Sequence, residues 1–416
     1  MIGLMLLNVP IGLSTAYAVF TGISITETMP MMSLVQRLYN GMDSFILIAV
    51  PLFMLAGQLM SCGGVTRDLL KVAQAMVGRF RGGLAYVNVV TSMFFAGITG
   101  AASSDSASVG GILIPAMQED GYDDDFTVGV TAASSTLGVL IPPSNPLVMY
   151  AAATSVSVGA LLMGGVIPGI LMGLGQCLVV GIISKKRNYP KRKPMSFKET
   201  IIALIQGIPA LSTIVIMLGG IMFGWFTPTE AAGVAVLYSF LLGVFYYREL
   251  KLSAIPNIIR DVSITMGTVT LLVAAAQALG YLFAINNLPT LLANAILSIT
   301  DNKYLILFMI NVALLFIGLW MDIGPAVLIF GPILYNLVTI VGIDPVHFGV
   351  VMVVALAIGM YTPPVGQCMS ICCGIAKIGI SDCVKGLIPF ILIGTVVLFL
   401  ISFFPQLVLW LPGLMM

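Results

Sequence analysis

Long apolar runs organise this 416-residue chain. Stretches at 1–24, 44–60, 160–183, 205–226, 229–247, 261–283 and 386–412 are each apolar enough for a spanning helix, which needs roughly 20 such residues. Four further segments, 84–117, 126–155, 303–336 and 346–376, are equally apolar but interrupted by Gly, Pro, Ser or Asp. The pattern predicts an all-α polytopic membrane protein. In it, 84–117 and 303–336 form helical hairpins, and 126–155 and 346–376 form broken helices.

Composition agrees. Hydrophobic residues make up 59% of the chain and charged residues 8%. A soluble chain carries about a quarter charged residues, so the lipid bilayer is the expected surroundings. No basic cluster interleaves with aromatics, which speaks against nucleic acid. The six cysteines lie in or beside apolar segments without disulfide or zinc spacing, and the single His347 makes a histidine-based metal site a poor fit. Residues 1–20 lack a basic start and a small-residue cleavage site, so they read as a first membrane helix rather than a removed signal.

Basic residues favour cytoplasmic loops. Sixteen of the 18 fall in four clusters: Arg67 to Arg81, Lys185 to Lys198, Arg248 to Arg260, and Lys377 with Lys385. One topology puts all four inside, provided each hairpin enters and leaves on the same side. The two hairpins then enter from opposite faces.

The halves also repeat. An offset of 221 positions aligns Gly121 with Gly342, Gly138 with Gly359, Pro142 and Pro143 with Pro363 and Pro364, and Gly165 with Gly386. Upstream, after a four-residue length difference, Asp105 falls on Asp322 and Pro115 on Pro332. Repeats of opposite orientation are a mark of secondary transporters, whose sites lie where discontinuous helices meet. Paired prolines remove two amide donors and break a helix. The freed carbonyls cannot face lipid. Half-helix carboxyl ends suit a cation and amino ends an anion. A single such break would read as a simple proline kink. Two in register, each preceded by a hairpin with a carboxylate, read as a site. Asp105 and Asp322 are costly at membrane depth and mark function by default. Alternatively, each carboxylate caps its hairpin helix; such a cap is compatible with an ion-binding role.

The chain resembles the large membrane subunit of tripartite ATP-independent periplasmic (TRAP) transporters, the DctM-like family. The resemblance rests on Val50-Pro51-Leu52-Phe53-Met54-Leu55-Ala56-Gly57, Gly78-Arg79-Phe80-Arg81-Gly82-Gly83, Ile112-Leu113-Ile114-Pro115-Ala116-Met117, Ile141-Pro142-Pro143-Ser144 and Phe226-Thr227-Pro228-Thr229-Glu230-Ala231-Ala232. It implies an elevator-type transporter with scaffold parts at 1–83 (including an amphipathic arm) and 184–302. The transport-domain repeats would occupy 84–183 and 303–416. It implies two Na⁺ sites. The first would use Thr99, Ala101 and Asp105 with Gly138, Ile141 and Pro143. The second would use Gly318 and Asp322 with Gly359, Thr362 and Pro364. Where the family often has Ser-Gly-Ser at the first tip, this chain has Thr99-Gly100-Ala101, which favours main-chain coordination there. Substrate contacts are expected at Ser103, Ser104, Ser144, Asn145, Gly366 and Gln367. The Asn145 of Pro-Pro-Ser-Asn-Pro looks like that of sialic acid carriers, with C4-dicarboxylates as the alternative. The implied partners are a small four-helix membrane subunit and a soluble periplasmic binding protein that delivers an acidic solute. The implied location is the bacterial inner membrane.

A rival from another class is an intramembrane aspartyl protease, whose two carboxylates would share a proton. That class has no need of paired Pro-Pro breaks, and its G-x-G-D motif is absent.

Overall fold

A computed structural model describes residues 3–4, 7, 9–26, 30–62, 64–192, 194–298 and 300–414. Among these the fold is all-helical; an isolated bridge between Arg81 and Lys191 is the one β-type pairing. The helices are α1 (Ile11–Thr26), α2 (Met31–Met42), α3 (Ala49–Cys62), α4 (Val65–Val77), α5 (Gly83–Thr99), α6 (Ala102–Glu119), α7 (Asp124–Ser135), α8 (Asn145–Thr154), α9 (Val158–Lys186) and α10 (Phe197–Met222). They continue with α11 (Pro228–Leu241), α12 (Ile255–Ile285), α13 (Leu288–Leu297), α14 (Lys303–Gly318), α15 (Ile323–Val341), α16 (Pro345–Gly359), α17 (Gln367–Ala376), α18 (Ile380–Phe403) and α19 (Gln406–Gly413).

Six helices among the described residues are long and apolar enough to cross a membrane, or seven if the pair α2–α3, bent by 46°, counts as one. The chain is a multi-pass membrane protein. Of the expected hairpin arms, α15 is among those six, while α5 and α14 are shorter. Helix α5 has 17 residues and reaches about 25 Å at 1.5 Å per residue, less than the ~30 Å hydrocarbon core. Helices α7 and α8 have 12 and 10 residues, and neither is long enough to span alone. Each break falls at the expected paired prolines.

Several boundaries differ from expectation, among them the start of α10, at Phe197 rather than 205, and of α12, at Ile255 rather than 261. The run 386–412 is not one helix: α18 starts earlier, at Ile380, and ends at Phe403, and Pro405 opens α19. Proline lacks the amide that would continue the ladder. The first helix runs from Ile11 to Thr26, and residues 1, 2, 5, 6 and 8 of the expected first span lie outside the described residues. Helix α13 lies in a stretch expected to be a connection.

Packing ties the halves together. Helix α5 packs on α6 and α7, and α14 packs on α16. The second half of each broken helix crosses over: α8 packs on α15, and α17 packs on α6. Elsewhere α12 packs on α1 and α2, α11 on α3, and α10 on α4. At one end, the loop after α9 is held to the start of α7. Arg187 grips Asp125 through two hydrogen bonds of 2.6 and 2.8 Å and reaches Asp123 at 2.9 Å. That guanidinium holds the Asp125 carboxyl below the usual carboxylate range. Arg192 grips Asp120 in the same forked way.

Candidate functional site

The first helix pair turns at Gly100, whose φ of +63° is a left-handed conformation open to glycine without steric cost. The tip then meets the first break at close range. A Cβ on Gly100 would stand 2.5 Å from the Pro143 carbonyl oxygen. The Asn145 amide donates to the Gly100 carbonyl at 3.3 Å, and a Cβ on Gly138 would lie 3.3 Å from the Ala101 carbonyl. The break is a 3-10 turn over Thr136–Val139, followed by Pro142 and Pro143. Ser144 caps α8: its hydroxyl accepts from the Leu147 amide at 3.3 Å and donates to the Val139 carbonyl at 2.5 Å.

The second tip lacks a left-handed glycine. Leu319, Trp320 and Met321 turn by hydrogen bonds back to Phe316 and Ile317. Asp322 is the N-cap residue of α15. The backbones of Gly318 and Gly359 touch: a Cβ on Gly359 would collide with the Gly318 carbonyl, and one on Gly318 would lie 3.3 Å from the Gly359 Cα. Past Pro363 and Pro364, the chain recloses with the Cys368 amide donating to the Met360 carbonyl at 2.9 Å. The Pro142-Pro143 and Pro363-Pro364 bonds are both cis.

The two aspartates occupy different environments. Asp105 sits in the first turn of α6, fully buried, and neither carboxylate oxygen has a hydrogen-bond partner. Asp322 is exposed toward a cavity, and its side chain makes no cap hydrogen bond. No side-chain cap hydrogen bond is present at the start of α6 or of α15.

That cavity, about 420 Å³, lies where the two helix-pair tips and the two breaks come together. Ala101, Ala102 and Ser103 line it from the first tip, and Asp322, Ile323 and Gly324 from the second. Asn145 and Pro146 come from the first break, and Met360 and Gln367 from the second. The first turns of α6, α8, α15 and α17 thus converge on one space, a consequence of the crossed packing of α8 and α17. Among the described residues, no Lys, Arg or His lines it. The Asn145 side-chain oxygen is buried without a partner. Thr265 and Thr268 of α12 face the same cavity.

Of the expected contacts, Ser103, Asn145 and Gln367 line this cavity. Ser104 instead lines an adjoining space of about 330 Å³ with Thr99, Ala101 and Gln58. The Ser144 hydroxyl is committed to its cap, and Gly366 serves the backbone, with φ +40°. Ile141 turns its side chain toward Gly169 of α9, which leaves its main chain as the group able to act as a ligand. Thr362 donates to the Ile358 carbonyl at 2.6 Å. Thr265 and Thr268 escaped sequence reasoning because α12 reads as an ordinary span. The signal was their i, i+3 spacing, extended to Leu272 on the same cavity face.

Comparison with known proteins identifies the family. The family described as "Tripartite ATP-independent periplasmic transporter, DctM component" matches residues 1–407. The sialic acid TRAP transporter large permease protein SiaM of Vibrio cholerae is 36% identical, over 99% of this chain and 97% of that protein. The C4-dicarboxylate TRAP transporter large permease protein DctM of the same organism is 35% identical, over 100% and 96%. The isethionate TRAP transporter permease protein DctMQ of Oleidesulfovibrio alaskensis is 38% identical over 98% of this chain, which covers 65% of that protein. The crystal structure of the Alcanivorax borkumensis YdaH transporter shares the fold, with a TM-score of 0.64 at 15% identity over 90% of this chain and 87% of that one. The matched family is one of transporter components, not enzymes, so the protease reading falls, and the chain belongs to the DctM component family of tripartite ATP-independent periplasmic transporters.

Proposed function

We propose that this permease carries out Na⁺-coupled uptake of an organic acid anion by an elevator movement. The observation that carries the reading is the convergence of four helix amino ends on one cavity without a basic side chain. Each amino end carries about +0.5 of an elementary charge, and oriented amides bind anions at helix starts. Cations then balance the two carboxylates. The first Na⁺ site comprises Thr99, Ala101, Asp105, Gly138, Ile141 and Pro143; the second comprises Gly318, Asp322, Gly359, Thr362 and Pro364. The close packing of tip on break in both halves supports these sets.

In this reading, 84–183 and 303–416 are inverted repeats with re-entrant hairpins that move as a transport domain against scaffold parts at 1–83 and 184–302. A small four-helix subunit docks on α10 and α11, and a periplasmic binding protein delivers the solute at the bacterial inner membrane. Sialic acid is the leading substrate. The cavity volume falls within the ~300–1,000 Å³ of sites for drug-sized ligands, and the free Asn145 oxygen would accept a hydroxyl proton. The alternative is a C4-dicarboxylate.

The test is uptake into proteoliposomes containing both membrane subunits, with binding protein outside. Uptake should require an inward Na⁺ gradient, and unlabelled sialic acid should compete better than succinate. Full uptake driven by a proton gradient in Na⁺-free buffer would overturn the coupling. Better competition by succinate would overturn the substrate.

A further inference from the structure

The largest of the described cavities lies away from this site. It measures about 710 Å³ and is bounded by α1, the end of α12, α13, α14 and α15. Ala18, Leu279, Phe283, Ala313, Ile329 and Leu334 represent its walls, and among the described residues no charged or amide side chain lines it. An empty space of this size loses dispersion contacts on every wall. Water does not fill it well, because a buried water needs two or more polar partners. A peptide would bring backbone amides that these walls cannot satisfy. A hydrocarbon chain brings none.

A smaller cavity of about 160 Å³ adjoins it, sharing Phe283 and Ile333 as walls. Its lining is partly polar and includes Arg37, Gln277, Tyr281 and Asn336. The Arg37 guanidinium lies 3.8 Å from the centre of the Tyr281 ring and forms no salt bridge among the described residues. Arg37 belongs to α2, which exposes Met31, Val35, Tyr39 and Met42 along one stripe. Short amphipathic helices of this kind lie in the membrane interface at headgroup level, where arginine extends its charge toward the polar layer.

We propose that the two cavities form one phospholipid site. The phosphate pairs with Arg37 and takes hydrogen bonds from the Gln277 and Asn336 amides, while an acyl chain fills the apolar chamber beside α14 and α15. The bound lipid then spans the boundary between α1, α2 and α12 on one side and the second helix pair on the other. The site stands independently of the transport mechanism proposed above.

The experiment is native mass spectrometry of the full chain with its co-purified membrane subunit, delipidated in mild detergent. The probes are phosphatidylglycerol, diacylglycerol and inorganic phosphate. Wild type should retain at least one phosphatidylglycerol. Arg37→Gln should weaken it about tenfold while leaving diacylglycerol binding unchanged. Ala313→Phe, which fills the chamber, should weaken both lipids, and Ala18→Phe on the opposite wall repeats that arm should the first variant fold poorly. Wild-type phosphatidylglycerol affinity in Arg37→Gln overturns the headgroup assignment. Wild-type affinity in a folded chamber-filling variant overturns the chain assignment. Complete displacement of the lipid by inorganic phosphate shows a phosphate site and overturns the proposal.

Discussion

Replacing Asp105 by Asn tests whether its carboxylate exists for a cation. The side chain is fully buried, and both oxygens lack partners. An unpaired buried charge costs several kcal/mol. A buried carboxyl without a cation relieves that cost by taking up a proton, so at a pH high enough to ionise it Asp105→Asn, which keeps the size and cannot ionise, should stabilise the Na⁺-free protein, on the order of 2 kcal/mol. Na⁺ at a hundred times its Kd should stabilise wild type by about 2.7 kcal/mol for each occupied site, and Asp105→Asn should lose most of the share due to the first site. Asp322→Asn should behave differently. Its carboxylate already faces the open cavity, so the Na⁺-free gain should be absent while Na⁺ affinity still falls. The assay is denaturation of the purified protein in choline and in Na⁺ media, paired with uptake against Na⁺ concentration. A tenfold rise in the Na⁺ requirement corresponds to about 1.4 kcal/mol. A full wild-type Na⁺ shift in Asp105→Asn would refute the site. So would a fall in Na⁺-free stability of the ~0.5–2 kcal/mol typical of a lost helix cap.

Gly359→Ala sets a methyl against the Gly318 backbone, an overpacking worth about 1–3 kcal/mol; Na⁺-driven uptake should drop at least tenfold, whereas Gly374→Ala, with open space around it, should leave uptake unchanged. Ser144→Ala removes the α8 cap and should cost about 1 kcal/mol of stability, measured by thermal denaturation. Arg187→Ala should cost about 1 kcal/mol at neutral pH, since these pairs are partly exposed. Because Arg187 depresses the Asp125 carboxyl, that contribution is complete above the unfolded carboxylate pKa and disappears as pH falls through the lower folded value. The stability difference between variant and wild type should therefore vanish in acid, and a constant difference down to low pH would show that the pair contributes nothing electrostatic.

Much of the architecture was legible because its causes are local. Apolar run length sets which segments can span, and paired prolines interrupt a helix wherever they fall. The breaks before Asn145 and Gln367 accordingly appear where the proline pairs stand. The error at 386–412 has a local cause as well: Pro405 sits inside an apolar run, and run length alone outweighed it. Helix α13 was missed because its ten residues follow Asn286 and Asn287, a turn-like pair, and hydropathy does not separate a short helix from an apolar connection.

The sequence by itself determined an all-helical membrane protein, its two proline breaks and two aspartates at matching offsets. Tertiary structure alone decided what those aspartates face. Asp105 and Asp322 align in the repeat, yet one is buried without partners and the other opens onto the cavity. It also decided that α8 and α17 cross to the opposite repeat's helix pair, which assembles four helix amino ends and the α12 threonines around one space. Periodicity and helix breaking are properties of neighbours along the chain. A cavity is defined by which distant surfaces come to face each other, and that depends on packing between segments some 200 residues apart.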